Sequence, residues 1–307
     1  MFLNLRKLFK VSKRNWALFA ATLVSIIYGI TFTIAKDVMP KYVNAFGFIV
    51  MRVGGSVVLF WLISFFGPKE KIAKEDFPRI VAAAFFGVAF NMLTFFKGLS
   101  YTSPIMGAVL MVITPMIVLV LSAFIMKERM ENRKILGIIL GLAGTVTLIL
   151  YGKSLVNATN ASLGNLLVFV NAVSYAFYLI IVKKLMDKYN AFTFVKWVYT
   201  FGFLMVLPFG WNEFHAIDFA HLPNDIFWKI GFVVVFSTFL TYLLNLVSMR
   251  ELKPTTVAVF IYLQPLFATI FAVSLGKDDL SFVKLTSAVL IFVGVYLVTQ
   301  KKVTSDK

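Results

Sequence analysis

Ten apolar runs follow one another along this 307-residue chain: 16–35, 44–66, 79–100, 104–126, 134–151, 163–182, 192–211, 226–249, 254–275 and 283–299. A helix rises 1.5 Å per residue, so runs of about twenty residues cross a hydrocarbon core of ~30 Å. Sixty per cent of the residues are hydrophobic, which excludes an ordinary soluble domain. The expectation is an all-α integral membrane protein with ten transmembrane helices. The run 16–35 is too long for the core of a signal peptide and lacks a small-residue exit, so it counts as the first span. Short links at 101–103 and 250–253 make the spans they join antiparallel neighbours. There is no cysteine, hence no disulfide framework, thiol nucleophile or thiolate metal site.

Ten spans put the loops alternately on two sides. One side carries 21 Lys and Arg residues and the other seven, with Arg52 and Lys196 left inside spans. Basic loops stay in the cytoplasm. Both termini are therefore expected to be cytoplasmic, in a multi-pass protein of the cytoplasmic membrane. The net charge of +16 is accounted for as a topology determinant. The expected surroundings are membrane lipid, with no nucleic acid as partner.

The chain also repeats itself. At an offset of 150, Pro104 matches Pro254, Ala108-Val109 matches Ala258-Val259, Pro115 matches Pro265, and Glu128 matches Asp278. Five spans per half is an odd number, so the second half enters the membrane from the opposite side. The expected architecture is two inverted five-helix repeats, as in many secondary transporters. The layout is a cytoplasmic segment 1–15, a first repeat 16–151, an external linker 152–161, a second repeat 162–300 and a tail 301–307. Asn157 and Asn160 stand in sequons that the cramped linker explains as chance. Pro115 and Pro265 fall near mid-span, where proline removes a backbone bond and frees the carbonyls of Met111 and Ile261. Interrupted helices at matching places in two halves point to a binding site.

Several residues carry a likeness to a known family. They are Tyr28-Gly29 and Lys36 in span one, Arg52 in span two, and Gly98 to Ser103 before span four. Pro115, Glu128-Arg129, Ser174 to Ala176, Lys183, Pro265 and Gly276 continue the pattern. Over residues 16–300 the chain resembles the EamA-type carriers of the drug/metabolite transporter superfamily. The resemblance implies a ten-helix basket whose cavity is lined by spans one, three, four, six, eight and nine. It implies transport of a small metabolite, amino acid or drug-like solute, with export prominent. Lys127, the sequence Gly276-Lys277-Asp278, and Tyr199 where an arginine would repeat Arg52 depart from the pattern.

Neutral polar residues recur at helical spacing on the same six spans. Tyr28 and Thr31 share a face of span one, and Asn171, Tyr175 and Tyr178 share one in span six. Asn91 and Thr94 lie in span three, with Thr241 and Asn245 in span eight. Thr114 and Gln264 immediately precede the central prolines. Together they suit a hydrogen-bonding substrate cavity at mid-depth; bonds between helices are the competing use of such groups. No Asp or Glu falls within the spans, so proton coupling would have to use Glu128 or Asp278. Arg52 is expected to bond neighbouring carbonyls, and Lys36 and Lys183 to anchor helix ends. His215, Asp218 and His221 share an outer loop without the context of a metal site, and no metal or cofactor is expected. Gly137 and Gly141 form a GxxxG pattern that allows close helix approach, within the chain in preference to a homodimer. There is no H-E-x-x-H motif and no paired carboxylate in the spans, which argues against an enzyme. The expected function is secondary transport by alternating access, with a non-transporting membrane receptor or assembly protein as the rival.

Overall fold

The computed structural model describes residues 12–39, 41–68, 70–101, 110–128, 130–150, 161–274 and 281–300. Pro104, Asn157, Asn160, Gly276, Lys277, Asp278 and most of the linker 152–161 lie outside the described residues, as do the segments 1–11 and 301–307.

Among the described residues the chain is helical and has no strand. The helices are α1 (Lys13–Val38), α2 (Ala45–Ser64), α3 (Phe77–Ala84), α4 (Phe90–Tyr101), α5 (Thr114–Ile125), α6 (Asn132–Leu150) and α7 (Ala161–Met186). They continue as α8 (Ala191–His215), α9 (Asn224–Phe232), α10 (Thr241–Glu251), α11 (Pro254–Val259), α12 (Leu263–Ser274) and α13 (Phe282–Thr299). Among the described residues, seven stretches are long and apolar enough to cross a membrane: Ala45–Ser64, Lys74–Leu99, Ser162–Met186, Ala191–His215, Asn224–Glu251, Pro254–Phe271 and Phe282–Thr299. Thr114–Ile125 is a shorter apolar helix.

Polar caps fix the helix starts. Ser12 accepts from the Asn15 N–H, Asn190 from Phe192 and Ser281 from Lys284, each satisfying an otherwise orphan donor. Pro254 opens α11, where its missing N–H costs nothing. The start of α2 is capped from a distance. Glu213 of α8 accepts from the N–H groups of Phe46 and Gly47 at 2.7 and 3.0 Å, and its charge suits a helix N-terminus.

The outside and inside are reversed relative to a soluble protein. Phe124, Leu204, Leu285, Val289 and Phe292 are exposed, whereas Thr114, Thr241, Asn171 and Arg52 are buried. α2 packs along α8, and α6 along α13. α1 packs on α10 and α12, and α7 packs on α4 and α5. Gly137 and Gly141 face Gly294 of α13, where an added Cβ would come within 2.5 Å of backbone. The GxxxG face is thus used within the chain. On one end of the bundle the start of α1 meets the end of α13, through the Arg14 side chain and the Thr299 carbonyl.

Candidate functional site

Among the described residues, helix regularity breaks at four places that pair across the two halves. Between α3 and α4 the chain makes a π turn, Phe85–Ala89, and between α9 and α10 another, Val233–Leu240. α5 begins anew at Thr114 with Pro115 in its first turn. α11 gives way to a 3-10 turn, Phe260–Tyr262, before Pro265 in the first turn of α12. The proline breaks obey the 150-residue offset, and so do the π turns. A π turn widens a helix by one residue and is frequent at functional sites.

Neighbouring side chains meet the carbonyls exposed by these breaks. Thr114 Oγ1 donates to the Met111 carbonyl at 2.6 Å. Ser25 of α1 donates to Phe260 at 2.9 Å, and the Leu263 N–H turns to Phe260 and Ile261. Ser174 donates to Phe86 and the Tyr242 hydroxyl to Gly87, both at 2.7 Å. The prolines therefore shape the backbone without leaving bare carbonyls for a ligand. Hydrogen bonding decides this, because an unmet carbonyl away from water is expensive and a hydroxyl is within reach.

The predicted polar residues separate into three groups. Some join helices: Thr241 Oγ1, which also donates back to the Ser237 carbonyl at 2.7 Å, meets the Tyr28 hydroxyl at 3.3 Å. Asn91 and Asn171 exchange side-chain-to-carbonyl bonds at 3.4 and 2.7 Å. Others turn back on their own helix, Thr31 to Ile27 and Thr94 to Phe90, both at 2.6 Å; Thr114 does likewise. The third group is uncommitted. The hydroxyls of Tyr175 and Tyr178 and the amides of Asn245 and Gln264 bond to no described residue, yet are not among the sealed polar atoms. Tyr175 stacks on Tyr178 at 5.8 Å, and Tyr178 and Tyr199 both lean on Tyr242. Gly29 lets α1 approach α12, since a Cβ there would lie 2.9 Å from the Gln264 carbonyl. Five of the six predicted lining spans thus carry tyrosine hydroxyls or asparagine and glutamine amides, and the tyrosines of spans one, six and eight lie within electrostatic reach of one another.

Arg52 differs from its expected place. It does not bond carbonyls or reach the helix end: its Nε donates to Thr238 Oγ1 of the second π turn at 3.1 Å. Sequence reasoning missed the π turns altogether, although the offset places one opposite the other.

A model of the EamA-like transporter family matches the chain twice, over residues 15–150 and 162–300. The chain belongs to the EamA-like transporter family. Relatives of this EamA-family chain include the "Uncharacterized transporter YetK" of Bacillus subtilis, 25% identical over 237 residues, 76% of this chain and 72% of that one. An uncharacterized transporter of Archaeoglobus fulgidus is 25% identical over 289 residues, 94% of this chain and 100% of that one. A solved crystal structure shares the fold, with a TM-score of 0.76 at 16% identity over 93% of this chain and 98% of that one. With its apolar helices, the EamA-family chain is an integral membrane transporter.

At one end of this transporter Glu128, just past α5, makes a buried ion pair with Lys134 of α6 and a hydrogen bond to Thr255 of α11. Glu128 Oε1 accepts from Lys134 Nζ at 2.7 Å and from Thr255 Oγ1 at 2.9 Å, with Lys253 at 3.6 Å. Lys183 donates to the Met249 carbonyl at 3.0 Å and so closes the last turn of α10. Two surface hollows are lined by other residues than the polar cluster. One of about 260 Å³ includes Glu70 and Lys188, and one of about 340 Å³ includes Trp61 and Lys196. In the loop after α8, His221 bonds Asp218 at 2.7 Å and holds its carboxyl below the usual carboxylate range, while His215 turns to the Trp211 carbonyl. Among the described residues no group of three or more His, Cys, Asp or Glu could hold a metal ion.

Proposed function

We propose that the chain is a secondary carrier that exports a small solute across the cytoplasmic membrane by alternating access. In this reading ten helices form two inverted five-helix repeats, 16–151 and 162–300, joined by an external linker at 152–161. Both termini are cytoplasmic. One observation carries the reading: helix packing keeps its pattern when the halves are exchanged. α2 with α8 and α6 with α13 are self-matching pairs. The contact of α1 with α10 mirrors that of α7 with α4, and α1 with α12 mirrors α7 with α5. The interrupted helices also match. Such exchange symmetry is what two inverted halves rocking about a shared midplane site require.

In this reading the Glu128 cluster closes the cytoplasmic end between α5 and α11, and the uncommitted tyrosines and amides face the solute. The test is a comparison of metabolites in medium and cells with and without overexpression, followed by flux of the enriched compound from proteoliposomes. A compound enriched in the medium and carried by the purified protein is the expected result. Purified protein that moves nothing enriched in this way would remove the carrier reading.

A further inference from the structure

We infer that the carried solute bears a carboxylate and that Arg52 receives it, an inference that rests on the carrier reading above. Arg52 is 8% exposed, in the second turn of α2. The rings of Phe48 and Phe96 flank its guanidinium at 5.9 and 5.6 Å. A guanidinium has five N–H donors. Only the Nε donor meets an acceptor among the described residues, Thr238 Oγ1.

No carboxylate among the described residues pairs with it. The buried ones are engaged elsewhere, Glu128 with Lys134 and Asp76 with Lys188. The terminal nitrogens of Arg52 meet no acceptor among the described residues. A cation so far from bulk water is unfavourable until an opposite charge meets it. Its planar fork matches the two oxygens of a carboxylate.

The charge count selects the ligand. One fixed cation neutralises one negative charge, and the position matching Arg52 in the second half is the neutral Tyr199. A phosphate dianion would call for a second cation. The hydroxyls of Tyr28, Tyr199 and Tyr242 lie within electrostatic reach of the guanidinium. Beside them the flanking rings suit an apolar or aromatic body. Because Arg52 has no counterpart across the repeat, it also gives the solute one orientation.

The probe pair is hippurate, an aromatic carboxylate, and hippuramide, its uncharged amide. Phenylglyoxal modifies accessible arginines, and peptide mass spectrometry reports the adduct at Arg52 in the folded full-length protein. Arg52 should be modified, and hippurate should slow that modification by about tenfold while hippuramide does not. Hippurate should also raise the melting temperature of the wild type but not of Arg52→Gln. The wild-type labelling stands even if that variant fails to fold. An inert Arg52, equal protection by hippuramide, or stabilisation by inorganic phosphate alone would overturn the assignment. Flux from proteoliposomes separates the two claims. Protein-dependent flux of hippuramide with Arg52 unprotected overturns the carboxylate site and leaves the carrier. Protection of Arg52 without protein-dependent flux of either probe overturns the claim that the anion is cargo.

Discussion

The structure gives neighbouring residues opposite roles. Thr114 and Gln264 are equivalent under the repeat, but Thr114 is fully buried and bonded to Met111, while Gln264 is half-buried with its amide free. In a protein without native cysteine, Gln264→Cys should react with a small aqueous thiol reagent at least tenfold faster than Thr114→Cys, about the effect of sealing one site. Equal rates would show that the two positions share one cavity wall. The glycines allow a matched comparison. A Cβ on Gly294 would lie 2.5 Å from the Gly137 carbonyl oxygen, whereas one on Gly231 meets nothing within 4 Å. Gly294→Ala should cost about 1–3 kcal/mol by overpacking α6 against α13. Gly231→Ala should be neutral or gain up to ~1 kcal/mol from helix propensity. Unfolding in detergent measures both, and an unaffected Gly294→Ala would mean the two helices separate easily. The types and spacing of the polar residues were legible in the sequence. Whether Thr94 turns back on its own helix or Asn91 crosses to Asn171 was not, because rotamers and neighbours decide it.

Among the elements, α5 and α11 depend on Glu128. Replacing it by Gln leaves Lys134 buried without an opposite charge, and breaking a buried pair in this way costs about 3 kcal/mol. Glu128→Gln should therefore lower stability and expose the facing ends of α5 and α11. A cysteine placed at the neighbouring buried Thr256 in that background should label faster than the same cysteine with Glu128 intact. Unchanged labelling would mean the Glu128 carboxylate does not hold the two elements together. The proline breaks could be read from sequence because proline acts locally, through its ring and its missing N–H. The π turns could not, because packing sets them. Gly87 lies against the Tyr178 ring, and Thr238 answers to both Arg52 and the Val233 carbonyl. Glu128 was legible as a residue at a helix end, and Lys134 is near it in sequence, but its partner Thr255 depends on how the halves meet.

For the whole molecule, the asymmetry of 21 basic residues against seven sets the expected orientation. Reporter fusions at Lys307 and at Asn157 should report opposite sides, with Lys307 cytoplasmic; an externally active fusion at Lys307 would overturn both orientation and span count. Ten apolar runs were legible because lipid demands length and composition from each helix separately. The pairing of α2 with α8 and of α6 with α13 was not, since every outer face is similarly apolar. One contact reaches further. Arg14 reaches the Thr299 carbonyl, and Arg133 holds the Gln300 side chain at 2.9 Å beside it. The beginning of the first helix and the end of the last therefore share one rim. A circular permutant that joins these ends and opens the chain between Leu150 and Ala161 would keep every helix in place. Synthesis would then begin with the other half, and a permutant that folds as the parent does would show that the order in which the halves are made is immaterial to the fold.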